Sequence, residues 1–130
     1  MSPVAHAVQL SVGLVTIALV CQATASMVRS RSLPPNGLVG IKTRATRASP
    51  EAWWAGHDAA RPALLTTAVV CAAAVVILVA TGVLLRSHGS GDTVVLVLGL
   101  GCYVVVVALM VYATVVANRA ARLAAPPPDD

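Results

Sequence analysis

The residues best suited to chemistry lie in one polar stretch, from Pro34 to Pro62. Gly37, Gly40, Lys42, Thr43, Arg44, Thr46 and Arg47 fall within eleven residues of it. Backbone N–H groups exposed at glycines, hydroxyl donors and three cations all suit a phosphate or a similar anion. The order is not that of a P-loop, because G-x-x-x-x-G-K-[ST] is missing and Gly37 and Gly40 are too close. Two kinds of anion binding fit. A folded site would depend on its glycines and hydroxyls as much as on its cations. A basic loop held on anionic lipid would depend on charge count, at about 1 kcal/mol per cation near the surface.

The stretch continues into a helix start. Ser49 suits the N-cap, Pro50 the first helical position and Glu51 the first turn. Trp53, Trp54, His57, Asp58 and Arg61 then ride on about three turns. Trp53 and His57 are four apart and share one face; Trp54, Asp58 and Arg61 share another. The two tryptophans predict a short interfacial helix, with rings in the apolar part of the boundary and N–H groups wet. Asp58 is spaced to pair with Arg61, which at an exposed site is worth a few tenths of a kcal/mol. His57 reads as a polar anchor against the loop or, alternatively, as a ligand or catalytic group. Pro62 predicts the end of this helix or a kink into the apolar run that begins at Ala63.

Enzyme chemistry finds no support, and none is expected. The apolar runs hold no carboxylate, and no carboxylate pair, Ser/His/Asp or Cys/His arrangement stands out. Cys21, Cys71 and Cys102 lie inside apolar runs with no C-x-x-C spacing, so they read as small buried hydrophobes. Only His6, His88 and Asp92 would gather on one side as metal ligands, and neither a metal nor a cofactor is expected. The net charge of +4 comes from cations flanking apolar runs and not from a basic domain. Nucleic acid is therefore not an expected partner.

The elements that must position this stretch are membrane spans. Hydrophobic residues make up 58% and charged residues 11%, against roughly 25% charged in an ordinary soluble domain. Three uncharged runs, about residues 4–28, 63–85 and 93–117, are each long enough to cross about 30 Å of hydrocarbon. One Arg at mid-span would cancel roughly six aliphatic residues, and these runs contain none. Val-rich runs still form helices in lipid, because every backbone N–H and C=O must be paired inside the segment. Barrel strands would be shorter and would alternate polar with apolar. Ala23-Thr24-Ala25 would fit a signal-peptide cleavage site, but the run has no basic n-region before it, so an uncleaved span is expected. The Pro-rich tail 126–130 predicts disorder, and residues 1–125 read as one membrane domain. Arg29, Arg31, Lys42, Arg44, Arg47 and Arg61, with Arg119 and Arg122, share one side; Arg86 stands alone on the other. The positive-inside rule then places the motif loop and the C-terminus in the cytoplasm and the N-terminus outside.

Asn36, Gly40-Ile41-Lys42-Thr43, Thr46, Trp53 and His57 together carry a family signature. The chain resembles the SdpI family of bacterial integral membrane proteins, whose pattern is an Asn, a short gap, G-[apolar]-R-T-x-x-T and then W-x-x-x-H. Lys42 stands where Arg is usual. The likeness covers about 27 residues and the apolar span after them. Taken with the three uncharged runs, it gives the expected fold, an all-α integral membrane protein of three transmembrane helices with a short interfacial helix in the first cytoplasmic loop, in the bacterial inner membrane. It also implies a role in toxin immunity or envelope-stress defence. The signature and the anion-site reading of the loop together give the candidate binding residues Asn36, Gly40, Lys42, Thr43, Arg44, Thr46, Arg47, Trp53 and His57. Expected partners are anionic headgroups of the bilayer and a membrane protein or a second copy of the chain. The alternatives are an accessory subunit of a larger membrane complex and a small transport or lipid-handling protein.

Overall fold

A computed structural model of the chain describes residues 1–35 and 37–125. Asn36, expected as a site residue, and the tail 126–130, expected to be disordered, lie outside the described residues. Three α-helices follow one another: α1 (Pro3–Arg29), α2 (Pro50–Leu84) and α3 (Gly91–Ala124). No strand occurs among the described residues. All three helices are long and apolar enough to cross a membrane.

The helix ends follow from local chemistry. Ser2 caps α1, its hydroxyl accepting the Ala5 N–H at 3.2 Å, with Pro3 at the first position. Ser49 caps α2 in the same way, accepting the Ala52 N–H at 3.0 Å. At the other end of α1, Ser32 N–H donates to Met27 C=O at 2.9 Å and Arg31 N–H to Val28 C=O at 3.2 Å. This is the Schellman pattern, and its left-handed position is held by Arg31 at φ 55°. A glycine would sit there without the cost of about 1–2 kcal/mol. The Arg31 side chain makes compensating contacts with Asp58 and Trp54.

One expectation is corrected. Residues 50–62 are not a separate short interfacial helix but the first turns of α2, which continues through Pro62. The helix is held on both sides of the proline. Trp53 and His57 fasten it to the preceding loop, and Ala60 and Ala63 pack against Ala113 and Ala117. Tertiary packing therefore outweighs the loss of one backbone hydrogen bond at Pro62. α2 has 35 residues, or about 52 Å at 1.5 Å per residue, which exceeds the hydrocarbon thickness by about 20 Å. Its surplus of roughly fourteen residues matches the polar turns before Ala63.

The exposed faces of the helices are apolar, including Val12, Leu19, Val69, Val76, Val97 and Val104. In water such a surface would associate; in lipid it is the surface expected of a span. The buried stripes favour small residues, as helix contacts in membranes do.

The chain divides into two compact units. The first comprises residues 1–19 and 66–108. Within it, the Tyr103 hydroxyl donates to the Leu10 carbonyl of α1 at 2.8 Å. A Cβ at Gly13 would overlap that hydroxyl, and one at Gly99 would lie 2.5 Å from Leu10 Cδ1. His6, His88 and Asp92 fall in this unit, and no metal-holding group of His, Cys, Asp or Glu occurs among the described residues. Among the described residues, the second unit comprises 20–35, 37–65 and 109–125 and contains the motif loop.

The Gly13–Tyr103 contact generates a test. Gly13→Ala should lower stability by about 1–2 kcal/mol in a thermal unfolding measurement. In a Tyr103→Phe background the same change should cost clearly less, because the clashing hydroxyl is gone. Equal costs in both backgrounds would refute the contact.

Candidate functional site

The loop between α1 and α2 is built on its own side chains. Thr43 and Thr46 reciprocate: Thr43 N–H donates to Thr46 Oγ1 at 3.0 Å, and Thr46 N–H to Thr43 Oγ1 at 3.2 Å. Thr46 Oγ1–H donates to the Ile41 carbonyl at 2.6 Å. Thr43 Oγ1–H donates to Asn118 Oδ1 of α3 at 2.5 Å. Each hydroxyl thus gives one hydrogen and accepts at least one, which uses the T-x-x-T spacing fully. Arg47 N–H then bonds the Thr43 carbonyl at 3.1 Å, closing a turn that delivers the chain to Ser49.

His57 ties the loop to α2. Its Nε2 accepts the Ile41 N–H at 2.8 Å, and its Nδ1 lies 2.8 Å from the Trp53 carbonyl. An acceptor at Nε2 requires the neutral ring with the proton on Nδ1, so Nδ1–H is the donor to Trp53. Both residues are buried, and their ring centroids are 4.1 Å apart. Trp53 Nε1–H donates to the Leu33 carbonyl at 3.0 Å. The same indole packs with Val28 and Leu33. The expectation of a wet, headgroup-level N–H is thereby corrected for Trp53, whose indole is inside the unit. The loop carbonyl of Leu33 supplies the partner that water would have supplied.

Gly40 explains its own identity. Its φ is +117°, a region that L side chains rarely adopt, and a Cβ there would meet His57 Nε2 at 3.0 Å and Trp53 Cη2 at 3.2 Å. Gly56 makes a second close approach: a Cβ would lie 3.0 Å from both the Ala117 carbonyl and Thr46 Cγ2. Ile41, between Gly40 and Lys42, packs on Ala60, Ala63, Ala113 and Ala117.

The charged members face outward. Lys42, Arg44 and Arg47 are exposed, and Lys42 Nζ donates to the Gly37 carbonyl. Among the described residues, no ion pair involves these three cations. Asp58 does not pair with Arg61; it takes Arg31 at 2.9 Å. The Arg31 guanidinium also lies 4.9 Å from the Trp54 ring. Both contacts are partly exposed, so each is worth about 1 kcal/mol or less. Together they offset the left-handed backbone at Arg31.

The structure therefore sorts the predicted residues. Gly40, Thr43, Thr46, Trp53 and His57 converge on one interior network. Lys42, Arg44 and Arg47 form its outer surface. Sequence reasoning missed Asn118, Leu33 and Gly56. Asn118 had a signal, as the first polar side chain after the third apolar run. Leu33 contributes only a carbonyl, which no residue type announces.

A family model described as the SdpI/YfhL protein family matches residues 32–116, about two-thirds of the chain. No curated protein and no solved structure matches.

The interior network generates a test. Thr46→Val and His57→Ala each strand a buried donor or acceptor and should cost about 1–3 kcal/mol. Gly40→Ala should cost a similar amount through strain. All three should speed tryptic cleavage after Arg44 and Arg47 in the purified protein, whereas Glu51→Gln at an exposed position should not. Unchanged cleavage in the three variants would show that the loop is not held by this network.

Proposed function

We propose, for a chain that belongs to the SdpI/YfhL protein family, that this multi-pass membrane protein is a binding protein without catalytic activity. Its motif loop takes an anionic, phosphate-bearing ligand through Lys42, Arg44 and Arg47. The observation that carries this reading is the division of labour within the loop. The neutral motif residues satisfy one another, and the three cations stand exposed with no ion pair among the described residues. Arg119 and Arg122 extend the basic surface, lining with Asn118 a groove of about 510 Å³. The Thr43–Asn118 bond joins that groove to the loop.

The same geometry argues against catalysis by His57. Both ring nitrogens are engaged inside the unit, so neither is left to move a proton on a substrate. The eight-to-one division of cations supports a cytoplasmic loop in a bacterial inner membrane. The family resemblance supports a setting in toxin immunity or envelope-stress defence, where a loop that engages an anionic group at the membrane would act by binding.

The test uses the full chain in zwitterionic nanodiscs, titrated with short-chain phosphatidylglycerol and followed by thermal shift. Lys42→Gln, Arg44→Gln and Arg47→Gln should each weaken binding by about 1 kcal/mol at low salt, roughly fivefold. The variant with all three changes should lose the loop's contribution while unfolding at the wild-type temperature without ligand. Undiminished binding by that variant would refute the reading.

A further inference from the structure

We propose that the groove between the last turns of α1 and the α2 segment around Arg61 is a second, separate site, which holds the headgroup of an anionic phospholipid. The groove is about 400 Å³ and uses none of the motif-loop residues. Its central feature is Arg61, which is half-buried. Arg61 Nε–H donates to the Ala25 carbonyl of α1 at 3.3 Å. That bond fixes the plane of the guanidinium and leaves its four remaining N–H donors available. A fork held in place this way loses less entropy on binding phosphate than a free side chain would.

The rest of the groove matches the same ligand. Arg29 provides a second cation on the α1 wall, and Ser26 and Gln22 provide hydroxyl and amide donors. No carboxylate lines the groove, and Asp58, three residues before Arg61, is committed to Arg31. Ser30 adds a second hydroxyl, and Ala25 and Leu65 supply an apolar part of the lining. Leu65 belongs to the uncharged run of α2 that begins at Ala63. A cationic end beside an apolar end fits an amphiphile: a phosphodiester with acyl chains. A soluble anion would leave Leu65 unused. Basic pockets between helices at headgroup level are a recognised way to hold anionic lipids.

The test is native mass spectrometry of the full chain purified in detergent with equal amounts of phosphatidylglycerol and phosphatidylcholine. The wild type should retain phosphatidylglycerol preferentially. Arg61→Gln should reduce that preference roughly fivefold or more. Ser26→Leu, at an exposed position, should fill the groove and reduce it similarly without altering charge. Arg86→Gln, which removes the same charge at an exposed position outside both sites, should leave this preference intact, and Arg61→Gln should still lower it in a background that lacks Lys42, Arg44 and Arg47, so the two sites fail separately. Added inorganic phosphate should not displace the lipid. The proposal is overturned if Arg61→Gln and Arg86→Gln reduce the preference equally, if Ser26→Leu leaves it unchanged, or if inorganic phosphate alone empties the groove. Should Arg61→Gln not fold, Ser26→Leu decides the matter.

Discussion

The second unit depends on the two hydrogen bonds of His57. One receives the N–H of Ile41 from the loop; the other gives the ring proton to the Trp53 carbonyl in α2. A protonated ring could make the second bond but not the first, because it has no acceptor left. Exposure to water would weaken both by competition. The surrounding residues supply the dry, close setting. Trp53 packs against the ring, and Gly40 brings the backbone near enough at a conformation open to glycine. The T-x-x-T pair shapes the loop that presents Ile41. W-x-x-x-H puts both aromatic groups on one helical face. The motif is best understood as a clasp that docks a polar loop against the ends of two spans.

That clasp determines what is left over for function. A loop satisfied by its own neutral groups can leave its cations facing outward without unfolding. In water a basic loop of this length would be one conformation among many. Docked, it presents Lys42, Arg44 and Arg47 from a defined backbone, which would lower the ordering cost of the anion binding proposed above. Asn118 extends the arrangement to α3, so the loop is referenced to two helices at once.

Much of this was legible in the residues. The three uncharged runs carry the spans because a single charge at mid-span would outweigh several aliphatic residues. Ser49-Pro50-Glu51 marks the start of α2 because each residue answers a specific need of a helix N-terminus. The pairing of Trp53 with His57 follows from their spacing. What stayed hidden depends on tertiary contacts. Pro62 reads as a helix end or a kink, and α2 runs through it because packing holds both sides. Asp58 reads as a partner for Arg61, yet the left-handed turn at Arg31 brings a second guanidinium to it, and Arg61 turns to the Ala25 carbonyl. Trp53 reads as an interfacial anchor, since its actual partner is a backbone carbonyl twenty residues earlier.

The central claim is that His57 is a neutral, doubly engaged anchor. Nitrogen-15 chemical shifts of histidine-labelled protein in lipid nanodiscs at neutral pH test it most directly. His57 should be neutral, with the proton on Nδ1 and an Nε2 that accepts a hydrogen bond, and Gly40→Ala should alter this signature. An imidazolium, or a neutral ring protonated at Nε2, would contradict the claim, because neither form can accept the Ile41 N–H.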